Sequence, residues 1–282
     1  MNPDKLQKLK SNMFPAAHGA IADWAAFPWH THASSRRSSQ MLAIDVFGTL
    51  SVIAQGTRDA ILSEVATRAG VSPEGPWQVH LEWQDTRNLL RERTPTQVDA
   101  VAIGRRSILL FECKFTEAGG GCSQIKQDAS GLAACDGRYA RQVNPRDGST
   151  SSCALSGKGI AYWEWIERVY GLSATSEHAP CPFAFDAYQW MRNVVLAAAL
   201  REAEGKETRV IAAYADAPYL KTAWKVKRGP LGETPLSEKD AILPMPYDAL
   251  LAIGMEIDPH GPWADLANWV SAKIEEARPK TA

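Results

Sequence analysis

Asp99, Glu112 and Lys114 sit in TPTQVDAVAIGRRSILLFECKFTE, a stretch whose other residues are mostly apolar. Two carboxylates and an ammonium set into hydrophobic strands are what a site needs to grip a hard cation and work on a bound water. If the turn is centred on Arg105 and Arg106, Ile103 pairs with Ile108 and Asp99 faces Glu112. Directly opposed residues share a face, with Cβ atoms about 5 Å apart, and like charges there repel. Lys114, two residues beyond Glu112, lies on the same face and offsets one carboxylate. The other is left uncompensated. Magnesium, which prefers oxygen ligands and often takes only one or two carboxylates from protein, fits that remainder. The competing reading is an edge strand in water carrying an ordinary ion pair worth under about 1 kcal/mol. Against it stand Val98, Ala100, Val101, Leu109, Leu110, Phe111 and Phe115, whose run suits a strand covered on both faces.

The elements that must hold these groups are readable from periodicity. WQVHLEW alternates apolar and polar residues as a half-exposed strand does, and with QVDAVAI and SILLFECKF it predicts a three-stranded meander. Before it, RRSSQMLAIDVFG predicts a short helix capped by Ser38 or Ser39 and stopped at Gly48; a second runs from a Thr57 cap to Gly70. After it, GKGIAYWEWIERVYG predicts a helix closed by Gly171. A longer one follows, capped by Asp186 and stopped at Gly205. TRVIAAYA reads as a further strand, and PWADLANWVSAKIEEA as an amphipathic helix. The fold class is therefore α/β, or α+β with a mixed sheet and helices on its faces. Residues 1–37 are expected to pack as an N-terminal arm, and 38–282 as a single domain with a long irregular insertion at about 117–157.

A chain of 282 residues with 45% hydrophobic content can bury a sizeable core, and its formal net charge of -1 excludes a global basic field for drawing in nucleic acid. Any such binding is local; Arg87, Arg91, Arg93, Arg105 and Arg106 supply positive charge near the hairpin. The N-terminus lacks an apolar signal core and VVLAAAL is too short to cross a bilayer, so a cytoplasmic protein without a membrane is expected. Five cysteines without a secretory signal argue for reduced thiols. Cys122, Cys135, Cys153 and Cys181 are separated by 13, 18 and 28 residues, unlike the paired knuckles of zinc sites. Iron-sulfur or zinc binding there is the weaker reading.

Asp99, a spacer of twelve residues, then Glu112-Cys113-Lys114 on an apolar strand resembles the Asp...Glu-x-Lys signature of the PD-(D/E)XK nuclease superfamily. The literal Pro-Asp pair is missing, since Val98 precedes Asp99. Ser38-Ser39-Gln40, Phe47-Gly48, Thr116-Glu117 and Tyr188-Gln189-x-x-Arg192 extend the resemblance to an uncharacterised bacterial branch, over roughly residues 38 to 200. The resemblance implies a restriction-endonuclease-like core and hydrolysis of phosphodiester bonds in DNA, in restriction, repair or phage defence. It implies that Asp99, Glu112 and the Cys113 carbonyl hold Mg2+, for which Mn2+ can substitute, and that Lys114 orients the attacking water. Gln189 joins the catalytic set, with Ser39, Gln40 and Arg192 on the nucleic acid; a homodimer is compatible with this. The alternative is a catalytically inactive nucleic-acid-binding or assembly module on the same fold; a hydrolase of small phosphate esters is a third.

Gln189, Arg192 and Asn193 share one face of their helix, turned either to a phosphate or to solvent. Many relatives carry another acid before or within the meander, and Asp45, Glu64 and Glu82 are the candidates. Capping is the default role of Ser39, and a solvated face that of Glu64.

Overall fold

A computed structural model describes residues 1–116, 120–139, 142–143, 150–174, 176, 180–221 and 242–279. Glu117 and His178 lie outside them. After α1 (Pro3–Asn12), helix α2 (Ser39–Ala43) runs through one π-helical turn (Ile44–Gly48) into α3 (Thr49–Val52). Helix α4 (Gln55–Arg68) leads to the meander of β1 (Gln78–Gln84), β2 (Gln97–Ile103) and β3 (Ser107–Lys114). A two-residue ladder, β4 (Gln142–Val143) with β5 (Thr150–Ser151), lies in the excursion that follows. The chain continues through α5 (Tyr162–Tyr170), α6 (Tyr188–Glu204), β6 (Glu207–Tyr214), β7 (Ile242–Pro246), α7 (Tyr247–Ile257) and α8 (Trp263–Glu276).

The five-stranded sheet has the order β1-β2-β3-β6-β7, antiparallel through the meander and parallel from β3 to β7. It is a mixed sheet flanked by helices, an α/β fold consistent with a restriction-endonuclease-like core. Strand β3 is central and buried at every position, as its apolar run requires. Phe111 packs on Phe47 of the π-helical turn, ring centroids 4.4 Å apart, while Glu112 is reached by side chains of α6. The hairpin pairs Ile103 with Ile108 and Ala100 with Phe111, the register expected from the turn.

Helix ends show where local signals are overridden. Gly48 does not stop its helix: its φ is −64°, and a Cβ there would lie 3.2 Å and 3.3 Å from the Cβ atoms of Ala17 and Ala20. The glycine lets the N-terminal segment approach closely. Thr57 is inside α4, which starts after Ala54, and α6 starts after Ala187 rather than at an Asp186 cap; neither start has a side-chain cap. Gly70, Gly171 and Gly205 do take the left-handed conformation expected after a helix.

The first forty residues are pinned at several points. Leu9, Met13, Ala17 and Ile21 form a small core with Met41 and Ile44 of the helix that follows. Asp45 accepts from Phe14 N at 2.7 Å and also from Lys273 Nζ, which donates to Asn12 O at 2.6 Å. Arg36 makes a two-pronged ion pair with Glu276 of α8 at 2.7 and 2.8 Å. No helix among the described residues is long and apolar enough to cross a membrane.

Candidate active site

The site lies at the end of β3 remote from the hairpin turn. Extending the two ladders one rung sets Glu82 on β1, Asp99 on β2 and Glu112 on β3 side by side, because Leu81 faces Ala100 and Ala100 faces Phe111. Ladder pairing stops at Ala100, and Asp99 Oδ2 accepts from Cys113 N at 2.7 Å instead, taking over the bond a strand carbonyl would make. Glu82 adopts φ 49°, rare for a residue with a side chain, in the middle of an otherwise extended strand.

Glu112 is the hub. Lys114 Nζ donates to its Oε1 at 2.6 Å, Gln189 Nε2 donates to the same oxygen at 2.5 Å, and Asn193 Nδ2 donates to Oε2 at 2.5 Å. Lys114 Nζ also donates to Gln189 Oε1 at 2.9 Å and stands over the Trp190 ring. Both charged side chains are almost fully buried, so the pair depends on these extra hydrogen bonds to replace lost hydration. Residues 189 and 193 are one helical turn apart, which is why α6 can present two amides to one carboxylate. Asn193 was an open reading from the helix face; its amide turns inward.

Glu82 is held by Gln40 Nε2 at 2.8 Å and by Gln97, with His30 Nε2 3.8 Å away. Burial raises its pKa and the Glu112 carboxylate adds to the rise, against the opposing Gln40 and Gln97 hydrogen bonds, leaving it at about 7. Asp99 is pushed well above the usual carboxylate range by burial and by Glu112, opposed by Lys114, with Glu82 raising it further. Buried acids that push one another upward mark excess negative charge beyond what Lys114 neutralises. That excess, on hard oxygen donors, fits a divalent cation. Among the described residues no group of three or more His, Cys, Asp or Glu side chains already stands at metal-ligand spacing.

A cleft of about 790 Å³ opens onto Asp99, Glu112, Cys113, Lys114 and Gln189, with His30, Arg37 and Ser39 on its other wall. Ser38 and Ser39 both line this cleft, and Ser38 is also the helix cap, accepting from Met41 N at 3.3 Å. Gln40 is buried: besides Glu82, its amide serves Pro28 O at 3.0 Å and His30 N at 2.8 Å. It ties the N-terminal segment to the acid row. Arg192 turns to Thr96 Oγ1 at 3.0 Å and Glu92 at 3.3 Å.

Arg105 and Arg106 sit at the turn, six residues or about 20 Å of strand from Glu112. Arg106 pairs with Glu74, Arg91 with Glu164, and Arg87 with Asp85 and Glu204. Arg37 and the hydroxyls of Ser38 and Ser39 line the cleft instead. Of the three candidate acids, Glu82 joins the row, Asp45 is bound to Lys273 and Trp269, and Glu64 pairs on the surface with Arg68 at 2.8 Å.

A family model described as Restriction Endonuclease associating with ARP matches residues 13–233. No curated protein and no solved structure matches the chain.

Proposed function

Because the chain belongs to this restriction-endonuclease family, we propose that it is a divalent-metal-dependent nuclease that hydrolyses phosphodiester bonds in DNA. The observation that carries the proposal is the row of Glu82, Asp99 and Glu112 on one rung, with Lys114 bonded to the last of them. Asp99, Glu112 and the Cys113 carbonyl would hold Mg2+ or Mn2+. When bound, the ion supplies Lewis acidity at the phosphate and a water of lowered pKa.

The chain's own groups do the rest. Lys114 holds the attacking water by a hydrogen bond from Nζ and balances negative charge as it develops on phosphate oxygens. Gln189 shares Lys114 and Glu112 and so fixes the distance between ammonium and carboxylate. Asn193 fixes the second oxygen of Glu112, and Glu82 adds a third carboxyl group to the row. Ser39 and Arg37, which line the cleft, would meet backbone phosphates. A binding-only module has no chemical use for the complete charged set, which favours the enzyme over the inactive alternative.

The test is a panel of single-stranded, double-stranded, nicked and branched DNA beside RNA, incubated with the purified protein and Mg2+ or Mn2+. Cleavage of at least one DNA form, lost in Glu112→Gln, supports the proposal. No cleavage of any DNA together with no calorimetric binding of either ion rejects it.

A further inference from the structure

Four cysteines that are far apart in sequence line one small cavity of about 30 Å³. Cys122 and Cys135 come from the excursion after β3, Cys153 from the approach to α5, and Cys181 from the segment leading into α6. The backbones around three of them, Cys122, Cys135 and Cys181, are laced in a ring. Cys135 N donates to Gln124 O at 3.0 Å, Cys181 N to Gly137 O at 2.8 Å, and Cys122 N to Ala184 O at 2.9 Å. Each bond joins one cysteine to a residue two or three places after another. A Cβ at Gly121 would lie 3.1 Å from Phe185 O, so this glycine permits the close approach of the two strands of the ring.

The sulfurs are treated alike. Gly137 N donates to Cys135 Sγ at 3.4 Å, and the backbone N–H groups of Gln124 and Phe183 donate to the sulfurs of Cys122 and Cys181. In all three the donor is the amide two residues beyond the cysteine. Burial holds the Cys122 and Cys181 thiols up at about 11 against these contacts; a coordinating cation deprotonates a thiol outright, and the same N–H donors then serve the thiolate. No disulfide joins the cysteines among the described residues. Between β3 and α5 the described residues hold only two-residue strands and three-residue 3₁₀ turns, little regular structure to stabilise the region unaided.

We infer that Cys122, Cys135, Cys153 and Cys181 bind one structural zinc ion as a tetrathiolate. Soft thiolates in a tetrahedral set suit zinc, and a cavity of this size has room for one ion, not an iron-sulfur cube. The four thiols line the cavity, and no three of them stand at metal-ligand spacing, so binding the ion requires the thiols to draw together. Leu155, Trp163, Phe183 and Met191 give the cavity an apolar lining. The ion braces a strap that reaches the acid row: Gly120 N, two residues before Cys122, donates to Gln189 Oε1 at 3.3 Å, and Tyr188 lines the cavity. This inference stands apart from the nuclease reading and survives its failure.

The full chain, purified under reducing conditions, is analysed by plasma mass spectrometry for metal and titrated with an organomercurial that blocks thiols. One tightly held zinc per chain, released in step with blocking of the cysteines, is expected. Cobalt substitution then gives the strong sulfur-to-metal absorption of a tetrahedral thiolate site, and Cys135→Ser or Cys181→Ser lowers zinc content at least tenfold. Wild-type protein without zinc, zinc that thiol blocking leaves in place, or iron with labile sulfide instead of zinc would each overturn the inference. These readings on the wild-type chain hold even if the serine variants misfold.

Discussion

Glu82 faces Asp99 across the first pair of strands, at the only position of β1 among the described residues where φ is positive. A left-handed glutamate inside a strand costs roughly 1–3 kcal/mol, and such strain persists where surrounding structure over-determines it. Here Gln40 and Gln97 hold the carboxylate from both sides. Glu82→Gln keeps the shape and removes the charge. We expect DNA cleavage to fall about 10- to 100-fold, with the magnesium concentration for half-maximal rate rising, as for groups that support metal ligands. Rates measured across a magnesium titration check this.

The same residue sets a pH dependence. Its folded-state pKa of about 7 lies above the ordinary 4.5, so the folded protein binds more protons between those values and stability falls as pH rises through them. The loss is at most about 3 kcal/mol. Thermal unfolding without added magnesium should show a melting temperature that drops from pH 5 to pH 8 in the wild type and drops less in Glu82→Gln. Equal slopes would refute the assignment.

Lys114→Met removes the ammonium and leaves Glu112 buried with only amide partners. Cleavage should fall at least about a hundredfold, the scale of losing one electrostatic stabiliser. Stability should fall by about 3 kcal/mol, because an uncompensated charge remains. Double substitution with Glu112→Gln should recover stability but not activity, as read from urea unfolding and a nuclease assay.

Asn193→Asp sets a carboxylate against Glu112 Oε2, where an amide now donates at 2.5 Å. Repulsion between the two raises the demand for a cation. The variant should melt lower without magnesium and gain more from added magnesium than the wild type does, a difference that scanning calorimetry in matched buffers measures.

Lys273→Met breaks the buried contact with Asp45. Unfolding free energy should drop by about 3–5 kcal/mol, and pairing with Asp45→Asn should return most of it. Magnesium affinity should not change, since neither residue joins the acid row.

The central hairpin was legible because its alternation, turn and apolar flanks agree on one register, and Glu112 with Lys114 followed from a period of two. Gln189 was legible as part of a polar stripe, but the direction of that stripe depends on α6 packing against β3, a contact between residues 77 positions apart. Glu82 was ambiguous because its place in the row rests on two ladders at once, and its backbone leaves the extended region that strand patterns assume. Asp45 finds its partner 228 residues away. The four cysteines gave only the weaker metal reading for a similar reason: their spacing follows loop lengths, while the approach of Cys122, Cys135 and Cys181 follows backbone bonds between turns.

Gln40 joins Pro28 and His30 to Glu82, so the N-terminal segment is one bank of the channel that holds the acids. A fragment starting at residue 38 would keep Glu82, Asp99 and Glu112 and yet lose that bank. What it admitted would then report on a widened trough, and its choice between one strand and two would differ from that of the whole chain.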